Sequence, residues 1–230
     1  RIDGMIDRRD VGAELPFSER GNSLFLHGDY DTEFSEFGGA MLIGNWAATA
    51  TTSLNLSLDY RYNPLLTTRN ALIGQIGVSS IDDLKKAYSK KEIRELAMDR
   101  SQRSSYSTLS VTQQLTTDLQ LYGSASLFSY DDLPASGGVP EMPGSGNEYE
   151  YDAELIFSNL WQAGDTTNVG LRYYDGDLST RTAPGIDARF LFGQNLRINP
   201  RLWVELRETL RDDSEQWVYR PALRLEYTWT

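Results

Sequence analysis

The chain of 230 residues carries 33 acidic against 22 basic side chains, a net charge of -11, and no cysteine. That balance argues against nucleic acid as a partner, since phosphates recruit a basic footprint, and the missing thiols exclude a disulfide framework, a thiolate metal site and a cysteine nucleophile. A mean hydropathy of -0.47 and the lack of any run near the ~18 apolar residues of a spanning helix exclude a helical membrane protein, but not strands that alternate and average out to polar.

Apolar and polar residues alternate at period 2 along most of the chain, which gives strands with two unlike faces. Weak runs come first, near 8–17, 23–31 and 36–46, with a tight SERGN link at 18–22. After TATT at 49–52, LNLSLDYRY sets Leu54, Leu56, Leu58, Tyr60 and Tyr62 against Asn55, Ser57, Asp59 and Arg61. Residues 79–101 break the pattern and hold all four lysines, Lys85, Lys86, Lys90 and Lys91. There Ile81, Leu84, Tyr88, Ile93, Leu96 and Ala97 recur at helical spacing, and Ser80 with Asp83 three residues on resembles a capping box. One amphipathic helix or two short ones meeting near Ser89 are expected. The segment is either a structural insertion whose stripe packs on the sheet, or a plug or cap over the interior.

Strands resume in STLSVTQQLTTDLQLYGSASLF, folded at LTTD, 115–118. The Gly- and Pro-rich DLPASGGVPEMPGSGN forms a long loop at 132–147, and YEYDAELIF turns through QAGD, 162–165, into NVGLRYYD. GDLSTRTAPG reads as a further long loop at 176–185, a weak run covers 183–197, and INP at 198–200 reads as a turn before RLWVELRETL and the closing WVYRPALRLEYTWT. About eleven strands result, several near the ~9–11 residues that cross a bilayer. Tight links follow odd strands and longer ones follow most even strands, which is how outer-membrane barrels divide periplasmic turns from outer loops. The expected fold is all-β: a transmembrane antiparallel up-and-down β-barrel of about 10–12 strands, one domain over 1–230, with a helical insertion.

In that fold the two strand faces meet different solvents. Leu54, Leu56, Leu58, Trp217, Leu223, Leu225, Tyr227 and Trp229 are expected to face lipid, with Trp46, Trp161 and Tyr173 in aromatic girdles. Arg61, Arg172, Arg189, Arg207, Arg220 and Arg224 are expected to face the bore, with Asp59, Asp152, Glu154, Asp187, Glu205 and Glu226. These charges either pair into a network that fills a narrow interior or line a wet pore that selects solutes. His27, the only histidine, has Ser23, Asp29 and Asp31 near it in sequence, too little to assign a catalytic role. DYDTEFSE at 29–36 lacks the spacing of a calcium loop, and the glycines of 135–146 lack the lysine of a phosphate-binding loop. No enzyme activity, cofactor or metal is expected.

The runs YRYNPLLTTRNALIGQ, IDDLKKAYSKKEIRELAMDRS, PASGGVPEMPGSGNEYEY and INPRLWVELR resemble the C-terminal region of large tetratricopeptide-repeat outer-membrane proteins of Gram-negative bacteria, over most of the chain. The resemblance implies a barrel that serves as an exit pore, for a polysaccharide or another polymer, beside periplasmic helical repeats that bind polymer or partner proteins. It carries no catalytic residues. No such repeat lies in this chain, and Arg1 stands where a Met or signal peptide would, so a trimmed or mature segment is expected. The expectation is a channel or export pore in the bacterial outer membrane. A structural outer-membrane anchor with a closed lumen and a soluble carbohydrate-binding module are the alternatives, the latter opposed by the segregated loops.

Overall fold

Period-2 alternation is converted into eleven strands in a computed structural model, which describes residues 1–193 and 195–229. Gln194, inside the expected 183–197 run, and Thr230, at the end of the expected last strand, lie outside the described residues. The strands are β1 (Asp10–Glu19), β2 (Asn22–Asp31), β3 (Glu36–Ala47), β4 (Thr52–Asn63), β5 (Gln102–Gln114), β6 (Leu119–Tyr130), β7 (Gly146–Ser158), β8 (Thr166–Gly176), β9 (Ser179–Phe192), β10 (Leu196–Thr209) and β11 (Ser214–Tyr227). They form one antiparallel sheet in chain order. Among the described residues β1 and β11 each have one neighbour, so the sheet is not closed.

Two expected connections prove to be strand. INP, 198–200, lies inside β10, and the link from β9 is 193–195, where Gly193 takes φ +63. Pro200 reads as a turn residue because it has no N–H to give a ladder. Here the β9–β10 register runs to Ile198↔Phe190 and resumes at Arg201↔Asp187, so Pro200 sits where no pairing is made. Most of GDLSTRTAPG is β9, and only Asp177 and Leu178 separate it from β8. Pro184 likewise falls in a gap of the β9–β10 register. The segregation of loop lengths therefore reduces to two long connections, 64–101 and 131–145, both following even strands. Within 131–145, isolated bridges Leu133↔Met142 and Ser136↔Val139 fold the loop back on itself.

The chain divides into two compact units. The first holds β1, β2, the adjoining ends of β3 to β6 and both long connections. Of its apolar core only Tyr62 belongs to a strand. Met5, Phe34, Tyr62, Leu66, Ala71, Ile81, Leu84, Ile93, Leu96 and Ala97 bury one another where the insertion packs. The insertion is a 3-10 helix (Thr68–Leu72) and two α-helices, α1 (Ile81–Leu84) and α2 (Lys90–Asp99). Two helices form because Ser89, like Ser80, is an N-cap. Ser80 accepts from the Asp83 N–H, and Ser89 and Glu92 make a reciprocal capping box. Ile81, Ile93 and Ala97 are 0 % exposed, so the helical stripe is the core of this unit rather than a cover upon it. Tyr62, expected to continue the outward row of β4, is buried in the same cluster. Lys86 and Ser80 hydrogen-bond the Asp83 carboxylate and hold its pKa down at about 2.

The second unit holds β7 to β11 and the remaining ends of β3 to β6. Registers are continuous across its last strands, so residues can be read in rows. One row of the apolar side runs Tyr151↔Tyr173↔Thr182↔Leu206↔Trp217. Further along, Leu155↔Val169↔Ile186↔Leu202 forms an aliphatic row. Near the far end Phe192↔Leu196↔Tyr227 restores aromatics. The alternate positions on the opposite side carry the charged residues, interspersed with small ones such as Gly170, Ala183 and Gly185.

Candidate functional site

On the charged side of β7 to β11, strand alternation projects every second residue into one polar surface. Asp152 of β7 is directly across from Arg172 of β8. The Arg172 guanidinium lies 3.0 Å from Asp152 and 3.5 Å from Glu154, and stacks 4.2 Å from the centre of the Trp203 ring. That indole crosses the sheet over Gly185 and Gly170. A Cβ at Gly185 would overlap the indole, and one at Gly170 would meet it at 3.2 Å, so glycine at both positions makes the crossing possible.

One step along β10, Glu205 is 7 % exposed. A carboxylate this buried needs charge partners, and it has two: Arg207 at 3.0 Å and Arg220, reaching from β11, at 2.9 Å. Towards the β11 C-terminus, Glu226 takes Arg224 at 2.8 Å and Arg197 at 3.9 Å. Asp187 accepts from Asn168 at 3.3 Å. Arg189 has no ion pair among the described residues, although it was expected to belong to the same set.

In the first unit Asp59 and Arg61 pair with each other. They line a cavity of about 390 Å³ with Arg8, Asp10, His27 and Asp29. Arg8 bridges Asp29 at 2.9 Å and Asp10 at 3.2 Å. His27 has carboxylates on both sides, Glu14 at 3.5 Å and Asp29 at 3.4 Å. Among the described residues no His, Cys, Asp and Glu group has the arrangement of a metal site.

The apolar positions are placed as follows. Trp217, Leu223, Leu225, Tyr227 and Trp229 are all more than half exposed, and Leu56 and Leu58 are exposed at 37 %. Leu54 is partly covered. Trp46 and Trp161 are exposed near tight turns, and Tyr149, Tyr151 and Tyr173 form a stacked series 6.5 and 6.3 Å apart.

Sequence reading missed three arginines of the polar surface, Arg181, Arg197 and Arg201, and the role of Trp203. The first lay in the supposed 176–185 loop, where it stacks 4.7 Å from the Tyr174 ring. Arg197 and Arg201 flanked the supposed INP turn. Trp203 was on the polar side by alternation, and the signal that could have assigned it a role is Gly170 and Gly185 on the neighbouring strands. No known protein family, curated protein or solved structure matches the chain.

Proposed function

We propose that the chain is an outer-membrane β-barrel wall that forms a channel or export pore, with its aromatic and aliphatic rows in lipid and its charged rows around the conduit. The observation that carries this reading is the apolar side of the sheet in the second unit, which is left open while a carboxylate on the charged side is buried. Leu223 and Trp217 are 65 % and 56 % exposed, while Glu205 on the opposite side is 7 % exposed. A sheet in water covers its apolar side, since exposed apolar surface costs about 25 cal/mol per Å². The spacing of the rows fits a bilayer. From the row of Thr182 to Phe192 is about ten residues of β9, roughly 33 Å along a strand and roughly 25 Å of height at a ~40° tilt, the height of the apolar band of outer-membrane barrels. Aromatics flank that band at both ends, as amphipathic rings do at headgroup level.

A closed antiparallel barrel takes an even number of strands, and the sheet has eleven. Closure, which the reading adds to the sheet, therefore needs a further strand or a parallel seam between β1 and β11. The test is folding into detergent or lipid, followed by gel migration with and without heating and by conductance in planar bilayers. Heat-modifiable migration with conductance is expected. Solubility and a native fold without detergent would overturn the membrane reading.

A second reading, an anchor with a closed lumen, is favoured by one feature: Glu205 is buried between Arg207 and Arg220, as a dry paired interior requires. An insulating but lipid-folded wild type selects it over the pore.

A further inference from the structure

Over most of the charged side of the second unit, acids and arginines cancel locally. Asp152 and Glu154 share Arg172, and Glu205 takes two arginines. At β9 and β10 the cancellation fails. Arg189 and Arg201 have no ion pair among the described residues; Glu226 is taken by Arg224 and Arg197, and Asp187 accepts from the neutral Asn168 amide.

These two arginines flank a break in the sheet. Arg201 is opposite Asp187, and Arg189 is in the next row, where the β9–β10 pairing is interrupted at Asn199 and Pro200. On the other side of β10, Asn199 is opposite Arg224, so Arg201 has an arginine on each diagonal. At the interruption lies a cavity of about 540 Å³, lined by Arg189, Asn199, Arg201 and Arg224 and by the carboxylates of Asp187 and Glu226, three cations against two anions. At its wall the Asn199 Oδ1 is buried with no hydrogen-bond partner. An orphaned acceptor among unpaired cations is costly in protein alone and is relieved by a ligand that is both anion and donor.

We propose that this cavity is an anion subsite, in which Arg189 and Arg201 hold a carboxylate or phosphate group and Asn199 accepts from a hydroxyl on the same ligand. Planar guanidinium forks suit both oxyanions, and the hydroxyl requirement selects hydrogen phosphate or an acid sugar over chloride. As a station for an exported anionic polymer the site rests on the pore reading. As a binding site it does not.

The test uses the full chain, folded in detergent or in whatever buffer keeps it native, titrated calorimetrically with inorganic phosphate, with trigalacturonate and with a neutral trisaccharide. Binding of phosphate or trigalacturonate, weakening as salt rises, is expected, with none of the neutral sugar; the stronger of the two identifies the group. Arg189→Gln with Arg201→Gln is expected to weaken binding at least about tenfold, the loss of one charge-assisted contact or more. Arg189→Lys with Arg201→Lys, which keeps the charge and loses the fork, is expected to bind with intermediate affinity and covers the case of a misfolded glutamine variant. No binding by the wild type, or equal affinity in a natively folded glutamine variant or in the lysine variant, overturns the subsite. An insulating barrel that still binds overturns only the pore.

Discussion

Individual side chains on the charged face are constrained by what lies within a few ångströms of them. Glu205 is buried, whereas its partners Arg207 and Arg220 are 35 % and 61 % exposed, so water screens part of their charge. Replacing both by serine leaves a buried carboxylate unpaired, and the lower end of the range, about 3 kcal/mol, is expected. The heat-modifiable band of Arg207→Ser/Arg220→Ser should therefore convert at lower temperature than that of the wild type. Unchanged conversion with a reversal potential shifted toward cations would show that Glu205 is wet and acts only as a pore charge. A steric prediction concerns Gly185. Alanine there forces Trp203 off the sheet and breaks its stack on Arg172, an overpacking cost of about 1–3 kcal/mol. Near-ultraviolet circular dichroism should report the moved indole, and Trp203→Leu should restore most of the lost stability.

At the scale of elements, the insertion determines the stability of the first unit. Ile93 has no exposed surface and α2 packs on the 3-10 helix, so Ile93→Ala should cost about 2–5 kcal/mol. Hydrogen exchange should accelerate through α1, α2 and residues 64–72, while the amides of β9 and β10 keep their protection. Bridging 79–101 with a Gly/Ser linker, harmless if the helices were only a cover, instead removes half of the buried cluster. The same element carries a pH signature. Asp83 is held at about 2 by Lys86 and Ser80, below its ordinary 3.8. A depressed carboxylate pKa stabilises above the ordinary value, and that contribution fades as pH falls from there through about 2. The Asp83 carboxyl carbon should titrate with a midpoint near 2 by NMR, and Lys86→Ala should move the midpoint upward, because that hydrogen bond is the largest cause. An unchanged midpoint in the variant would remove Lys86 from the account.

For the whole molecule, the prediction is a contrast between neighbours. Leu223 and Arg224 are consecutive and therefore point to opposite sides of β11. In the proposed setting Leu223→Arg puts a charge in the apolar band at a cost of about 2–4 kcal/mol, whereas Arg224→Leu changes the conduit side only. Membrane-assembly assays should show Leu223→Arg and Leu56→Arg impaired and Arg224→Leu nearly normal. Equal tolerance of all three would mean that the face carrying Leu223 does not meet lipid.

Strand existence, strand number and the side on which each residue lies were legible in the sequence, because alternation is local and a period of two leaves no freedom once the backbone is extended. The insertion was legible for a similar reason: Ser80 and Ser89 cap whatever follows them, whatever the rest of the chain does. What the chain could not reveal by itself was where prolines interrupt pairing. Pro184 and Pro200 look like breakers in sequence, yet each stands where the β9–β10 ladder makes no bond, and only the assembled register discloses that the missing donor is not needed there. With that error went Arg181, hidden in a supposed loop, and Arg197 and Arg201, left at the frayed ends of runs on either side of a supposed turn. The burial of Tyr62 was equally a tertiary decision, because its strand ends beneath a cluster assembled from segments as far apart in the chain as Met5 and Ala97. Local periodicity sets which side a residue takes, and only packing decides what that side meets.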